Sequence, residues 1–370
     1  MNSNNTIGVG ILGATGYIGK PYRTEIRGVA DSRIVALCAR RRNLLETAGT
    51  EDNAELITDN WREVVEHPGV DLVIVATPDA LHHEAVLAAA RAGKHVFCEK
   101  PVGMNATETD EMWRAYQKAG TLAHYVPFWT RYVAIFQKMK EIVDSGRLGK
   151  IRGVVYRWHN PRPANMPLTW RDDPKLSAAG SIADVGSHAY DTVCWLLGTE
   201  ATRVLAHSAI ITPLKADLGA INLGEALEHG ARLQTEASQR QGGTPDYASI
   251  SWEFSNGSVG VLVLSHASYF RKGICPELEL HGTDASVSIN RVTGDVILGM
   301  PEGNPEMIAS IPDEGMGNRF EKFVFPAVRN VIAGKSQAEH PDLEAGWRVQ
   351  CFTDAVVQSA ETGGWVNVGR

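Results

Sequence analysis

Gly93-Lys-His-Val-Phe-Cys-Glu-Lys-Pro101 decides how this chain is read: a helix-stopping glycine, a short apolar run, then a charged pair closed by proline. Val96 to Cys98 reads as a strand, which places Glu99, Lys100 and Pro101 at its carboxyl end. In an open parallel sheet ligands bind beyond those ends, so a lysine held there is poised for chemistry. Proline cannot donate to a sheet ladder, and a cis bond before Pro101 would fix a tight turn aiming Lys100 at the ligand. Just upstream, Leu81, Ala85, Ala88 and Ala92 share a helical face that Gly93 terminates. Further out, Gly8 to Leu12, Ile34 to Cys38, Val70 to Ala76 and Thr121 to Val126 read as strands separated by helical patterns. Strands alternating with helices imply parallel βαβ units, and hence a doubly wound nucleotide-binding domain over residues 1–125.

The pattern changes after residue 125. A helix is expected from Val133 to Asp144, then a strand from Ile151 to Trp158 and a helix beginning near Ser181. Strands follow at Arg203 to Ile211, Ala248 to Phe254, Val259 to His266, Glu277 to His281 and Ala285 to Asn290. Asn256-Gly257 supplies hairpin chemistry between two of them. Runs of strands predict an α+β domain over residues 126–370 with a large, mainly antiparallel open-faced sheet. Helices on one face only would leave an apolar face for a two-fold partner, so a homodimer or homotetramer is expected. Residues 214–246 read as an insertion with one short helix; Arg319 to Ala333 and Leu343 to Glu361 are helical.

At 370 residues, two domains are the expectation. With 44% hydrophobic and 21% charged residues the chain can bury sizeable cores, and a net charge of −7 argues against nucleic acid as a partner. The 5 cysteines are an odd number with no Cys-x-x-Cys pair, so neither a disulfide framework nor a zinc ribbon is suggested, and a reduced cytosol fits. No secretory leader or apolar run of membrane length is present, so a cytoplasmic protein working on small molecules is expected.

Gly13-Ala-Thr-Gly-Tyr-Ile-Gly19 follows the first strand and opens a helix. Backbone amides there and the positive helix end suit a pyrophosphate, placing Gly13, Thr15, Gly16, Tyr17 and Ile18 at a dinucleotide. At the end of the second strand, where NAD-specific domains place an acidic residue, stand Arg40, Arg41 and Arg42. Guanidinium groups suit a 2′-phosphate, which favours NADP; solvated arginines with NAD accepted are the alternative.

In Gly180-Ser-Ile-Ala-Asp-Val-Gly-Ser-His-Ala-Tyr-Asp191, the residues Asp184, His188 and Asp191 have helical spacing and form one polar stripe. Asp-x-x-x-His lacks a third ligand motif, so no metal is expected. Gly186 inside a helix costs about 1 kcal/mol against alanine, which signals a close approach. From Lys150 to Lys175, six basic residues (Lys150, Arg152, Arg157, Arg162, Arg171, Lys175) face two acidic ones (Asp172, Asp173), with Trp158 and Trp170 interleaved. Arginine with tryptophan suits a sugar ring bearing an anion, or alternatively the cofactor phosphates.

Ala76 to Gly103, with its threonine-proline turn, its Gly-Lys-His-Val and its Glu-Lys-Pro, closely resembles the glucose-fructose oxidoreductase/inositol dehydrogenase family (Gfo/Idh/MocA), and Gly180 to Asp191 resembles that family's second signature. The glycine spacing and Asp79 depart from the family pattern, Thr15 standing where a second glycine is usual. The resemblance implies a Rossmann domain whose Thr77, Pro78, His82, Glu99 and Lys100 lie along the cofactor, joined by Trp170-Arg171 from the second domain. It also implies that Trp129 and Arg131 line the active site. A secondary hydroxyl of a sugar or polyol would lie between nicotinamide and the group Lys100, Asp184 and His188. His188 would take the proton, Lys100 would stabilise the oxygen, and Asp184 would orient the ring. Two alternatives share this fold: a glycosidase acting by transient oxidation, elimination and re-reduction, and a cofactor-sensing protein without catalysis. Which sugar is used is not legible in the chain.

Overall fold

The computed structural model describes residues 6–163, 165–219, 221–230, 237–267, 275–336 and 340–369. They form two compact units, one of residues 1–127 with 222–224 and 317–347, the other of 128–221, 225–316 and 348–370. Residues 317–347 thus cluster with the first unit although they follow most of the second in sequence.

The first unit is built on strands β1 (Ile7–Leu12), β2 (Ser32–Cys38), β3 (Leu56–Thr58), β4 (Leu72–Val75), β5 (His95–Cys98) and β6 (His124–Tyr125). All neighbours pair in parallel, in the order β3-β2-β1-β4-β5-β6. Every residue of β1, β4 and β5 is buried, because helices cover both faces of such a sheet and leave no polar side. This is the doubly wound order, and it reverses between β1 and β4, where the carboxyl ends of the strands open a ligand site. The short β3 was not anticipated from the sequence; only three residues long, Leu-Ile-Thr, it carries too little periodicity to stand out. A late segment completes this core: a π-helical turn, Phe320–Val324, sets Phe320 against the rings of Tyr22 and Phe97 with centroids 5.0 and 5.2 Å away.

The second unit carries β7 (Ile151–His159), β8 (Ala201–Ala209), the short pair β9 (Lys215–Ala216) and β10 (Gln239–Arg240), then β11 (Tyr247–Phe254) and β12 (Val259–Ser265). It continues with β13 (Leu278–Gly282), β14 (Ser286–Asn290), β15 (Asp295–Gly299), β16 (Glu306–Ser310) and β17 (Val366–Asn367). Nine of these strands make one sheet in the order β16-β15-β14-β13-β7-β12-β11-β8-β17, antiparallel except for β7 and β12, which run parallel. The expected Asn256-Gly257 turn joins β11 to β12, with Gly257 at φ 82°. Alternate residues of β7 and β12, Val154, Tyr156, Trp158, Leu262 and Leu264, are buried against helices, including Ser187–Leu197. Val155 and Val263 on the opposite face are only half-buried and Val261 is 42% exposed. Within the 214–246 segment the described part includes the helix Leu223–Gly230.

Candidate functional site

In the first unit the glycine turn lies at the carboxyl end of β1. Gly13 and Ala14 amides donate to the carbonyl of Cys38, at 2.9 and 3.1 Å, and so tie the turn to β2. Gly13 has φ 82°, and a Cβ there would lie 2.3 Å from the carbonyl oxygen of Ala76, so no other residue fits. The helix that follows, Gly19–Arg27, has no capping side chain and no acidic residue in its first turn, which leaves its positive end available to an anion. Beside it, at the end of β4, the Thr77 hydroxyl is buried without a hydrogen-bond partner. A buried hydroxyl left unsatisfied is unfavourable unless a ligand completes it. The uncapped helix end and the unsatisfied Thr77 hydroxyl beside the glycine turn fit a dinucleotide. Thr15 itself is buried and Tyr17 is 49% exposed.

Arg40 is exposed after β2, and Arg41 stands in extended conformation just before the helix Arg42–Asp52. Arg42 is engaged by Glu46 at 2.8 Å. His82 is wholly buried, its ring spanning the carbonyl oxygens of Pro101 at 3.0 Å and Thr77 at 2.9 Å. It straps the Thr77-Pro78 turn to the Lys100-Pro101 turn, and the latter peptide bond is cis. The Tyr22 hydroxyl donates to Glu99, whose other carboxylate oxygen accepts from the Lys100 amide at 3.1 Å.

In the second unit the signature helix opens with a π-helical turn, Ile182–Gly186, before becoming α-helical over Ser187–Leu197. The wider turn breaks the simple helical spacing, and the expected single stripe divides in two. Asp184 accepts from Arg162 at 2.9 Å, with His266 Nε2 3.4 Å and Arg171 Nε 3.8 Å away. Asp191 is buried and takes both prongs of Arg131, at 2.8 and 2.5 Å. Burial pushes the Asp191 carboxyl up, and Arg131 opposes that shift. Arg131 therefore anchors the segment that carries Trp129, while Trp129 itself is half-buried beside Tyr132. Gly186 is explained by packing: a Cβ there would lie 2.8 Å from Leu264 Cδ1 of β12.

The His188 ring stacks on Trp158, with centroids 5.9 Å apart and planes 20° from parallel, and meets the edge of Phe128 at 6.1 Å. Trp158 is only 5% exposed, so it supports the imidazole from inside the core. Arg171 lies over the Trp170 ring at 4.3 Å. Their turn is tightly held: Thr169 and Asp172 form a capping box, Lys215 pairs with Asp172 at 2.6 Å, and the Thr244 hydroxyl donates to the Arg171 carbonyl at 2.7 Å. Lys215, Asp172 and His266 were not among the site residues expected from the sequence. His266 had a signal, since it ended an expected strand; the Lys215–Asp172 pair joins residues 43 apart and had none.

Among the described residues no group of three or more His, Cys, Asp or Glu could hold a metal ion, and no helix is long and apolar enough to cross a membrane.

Comparison with known proteins agrees with this architecture. Residues 7–126 match the model of the oxidoreductase family with NAD-binding Rossmann fold, and residues 136–288 match the GFO/IDH/MocA C-terminal domain. Levoglucosan dehydrogenase of Pseudarthrobacter phenanthrenivorans is 26% identical over 98% of this chain and 98% of its own length. Myo-inositol 2-dehydrogenase of Thermotoga maritima is 26% identical over 77% of this chain and 75% of its own. A solved levoglucosan dehydrogenase in complex with NADH and levoglucosan shares the fold with a TM-score of 0.81 at 22% identity, over 99% of this chain and 100% of that one. Two family models in tandem, over a doubly wound domain followed by a mixed sheet, show that this chain belongs to the Gfo/Idh/MocA family of NAD(P)-dependent oxidoreductases.

Proposed function

We propose that this enzyme oxidises a secondary hydroxyl of a sugar, polyol or sugar derivative, with Lys100, Asp184 and His188 as the reacting side chains. The observations that support the reading are a His188 ring packed against Trp158 and Phe128 and, on the same helical segment, an Asp184 carboxylate held by Arg162 and flanked by His266. An imidazole locked in one orientation suits general base catalysis, because proton transfer needs a defined approach. When bound, a nicotinamide dinucleotide supplies the hydride acceptor. His188 takes the hydroxyl proton, Lys100 donates a hydrogen bond to the same oxygen, and Asp184 with Arg162 orients neighbouring hydroxyls or an anionic substituent. The glycine turn, Thr77 and Pro78 hold the dinucleotide, with Trp170 and Arg171 completing its contacts, and Arg40 and Arg41 favour NADP over NAD. Levoglucosan and inositol dehydrogenases among the relatives support the substrate class.

The test is a panel of levoglucosan, myo-inositol and simple glycosides, following reduced nicotinamide and released aglycone together. Wild type should accumulate reduced cofactor, and His188→Ala and Lys100→Met should each turn over about 10²- to 10⁴-fold more slowly with dinucleotide affinity retained. Aglycone release without net reduction would favour the redox-neutral glycosidase, and wild-type turnover in both variants would remove these residues from the mechanism.

A further inference from the structure

Behind His188 the second unit builds a column that the reaction itself does not use. The Arg291 guanidinium lies 4.4 Å from the ring centre of Trp158 and 5.0 Å from that of Phe136. Trp158 in turn is stacked on His188, and Tyr156 lies against Trp158 with ring centroids 5.8 Å apart. The cation is fixed from its other end by Glu277, which accepts from Nε at 2.7 Å and from Nη2. The Tyr156 hydroxyl donates to the same carboxylate at 3.4 Å. The Arg291 and Glu277 side chains are 14% and 6% exposed. Burial works against the arginine's charge, and Glu277 and Tyr156 hold it protonated nonetheless.

A buried ion pair is a weak source of stability, because desolvation offsets most of its attraction. Its geometry is the better account. A guanidinium plane on an aromatic face is directional, and a bidentate carboxylate removes its freedom to slide. The indole that supports the imidazole is thereby fixed from behind, while Phe128 packs nearly perpendicular to the imidazole.

We propose that Arg291, locked by Glu277, is a positioning residue for His188: it fixes the Trp158 plane on which the imidazole stacks, and so the direction in which His188 meets the substrate hydroxyl. The proposal rests on the reading of His188 as the base. Misplacement of a catalytic group by even about 1 Å is worth up to roughly 100-fold in rate, so the effect belongs in kcat.

Removing one charge alone would strand the other, so the test uses the neutral double variant Arg291→Met with Glu277→Gln, assayed on levoglucosan or myo-inositol, whichever the wild type oxidises. The expected result is a denaturant midpoint near that of wild type, KM and dinucleotide affinity within about twofold, and kcat lower by about tenfold or more. Arg291→Lys, which keeps a cation, should restore part of the rate. If the double variant does not fold, Trp158→Leu leaves the ion pair intact and should show the same loss in kcat. Wild-type kcat in a folded double variant, or in Trp158→Leu, overturns the proposal. His188→Ala separates the two failures: if it is inactive while the double variant is not, only the positioning role falls, and if it is active the catalytic reading falls first.

Discussion

Asp184 and Asp191 are the same residue type on one helical segment, yet their neighbours give them different work. Asp184 sits among Arg162, Arg171 and His266 at a partly open position, while Asp191 is buried and spends its carboxylate on Arg131. Arg131 and Trp158, expected from the sequence as substrate contacts, are engaged within the second unit, the first by Asp191 and the second by His188, Tyr156 and Arg291. Arg40 and Arg41 differ in kind, since the first is exposed and the second half-buried at a helix start. Replacing both with leucine should weaken NADP by about 1.5–3 kcal/mol for each charge-assisted bond lost. NAD affinity should change little. Parallel titrations with the two cofactors check this, and equal losses would remove the 2′-phosphate from the argument.

At the scale of elements, the two turns that open helices decide the chemistry. The glycine turn works because Gly13 reaches φ 82° against the Ala76 carbonyl, which lets β1 and β4 run side by side beneath it. Gly13→Ala forces a side chain into backbone, and the conformation alone costs on the order of 1–3 kcal/mol. We expect a lower denaturant midpoint together with loss of dinucleotide binding by calorimetry; a variant that binds at wild-type affinity would contradict the turn's assignment. The π-helical turn at Ile182–Gly186 does the complementary job in the second unit, offsetting Asp184 from the α-helical register of His188 and Asp191.

At the scale of the whole molecule, two properties follow from burial. His95 on β5 is buried and its Nδ1 accepts from the Ala123 amide at 2.9 Å; burial pushes its imidazole below the ordinary value, with Asp71 opposing. The unfolded ring takes up a proton near pH 6.5 while the folded one resists it. This histidine's contribution to stability is therefore fully present above about pH 6.5 and is lost as the pH falls toward the lowered folded value. Urea midpoints should drop between pH 7.5 and 5.5, and His95→Asn should flatten that slope; an unchanged slope would assign the effect to other groups. The second property is the sheet face that carries Val155, Val261 and Val263. A half-exposed valine patch on a broad sheet calls for a covering partner, and we expect light scattering to find a dimer or tetramer at micromolar concentration. A monomer would mean that the patch is tolerated in water.

The sequence by itself determined the doubly wound domain, its glycine turn, the strand that ends just before Glu99-Lys100 and the hairpin at Asn256-Gly257, because each depends on local periodicity or on glycine and proline. It also singled out Asp184 and His188 through a motif and a resemblance. Only the tertiary structure decided which carboxylate meets which arginine. It also packed residues 317–347 with the first unit, and it recruited His266, Lys215 and the Arg291–Glu277 pair. β15 and β16 were missed for a related reason: they follow the last anticipated strand toward a sheet edge, held by the pairing of β15 with β14 and of β16 with β15. Contacts between residues tens of positions apart leave no periodic trace in a chain. The physical reason is that burial and charge pairing are properties of neighbours in space, which local sequence patterns do not encode.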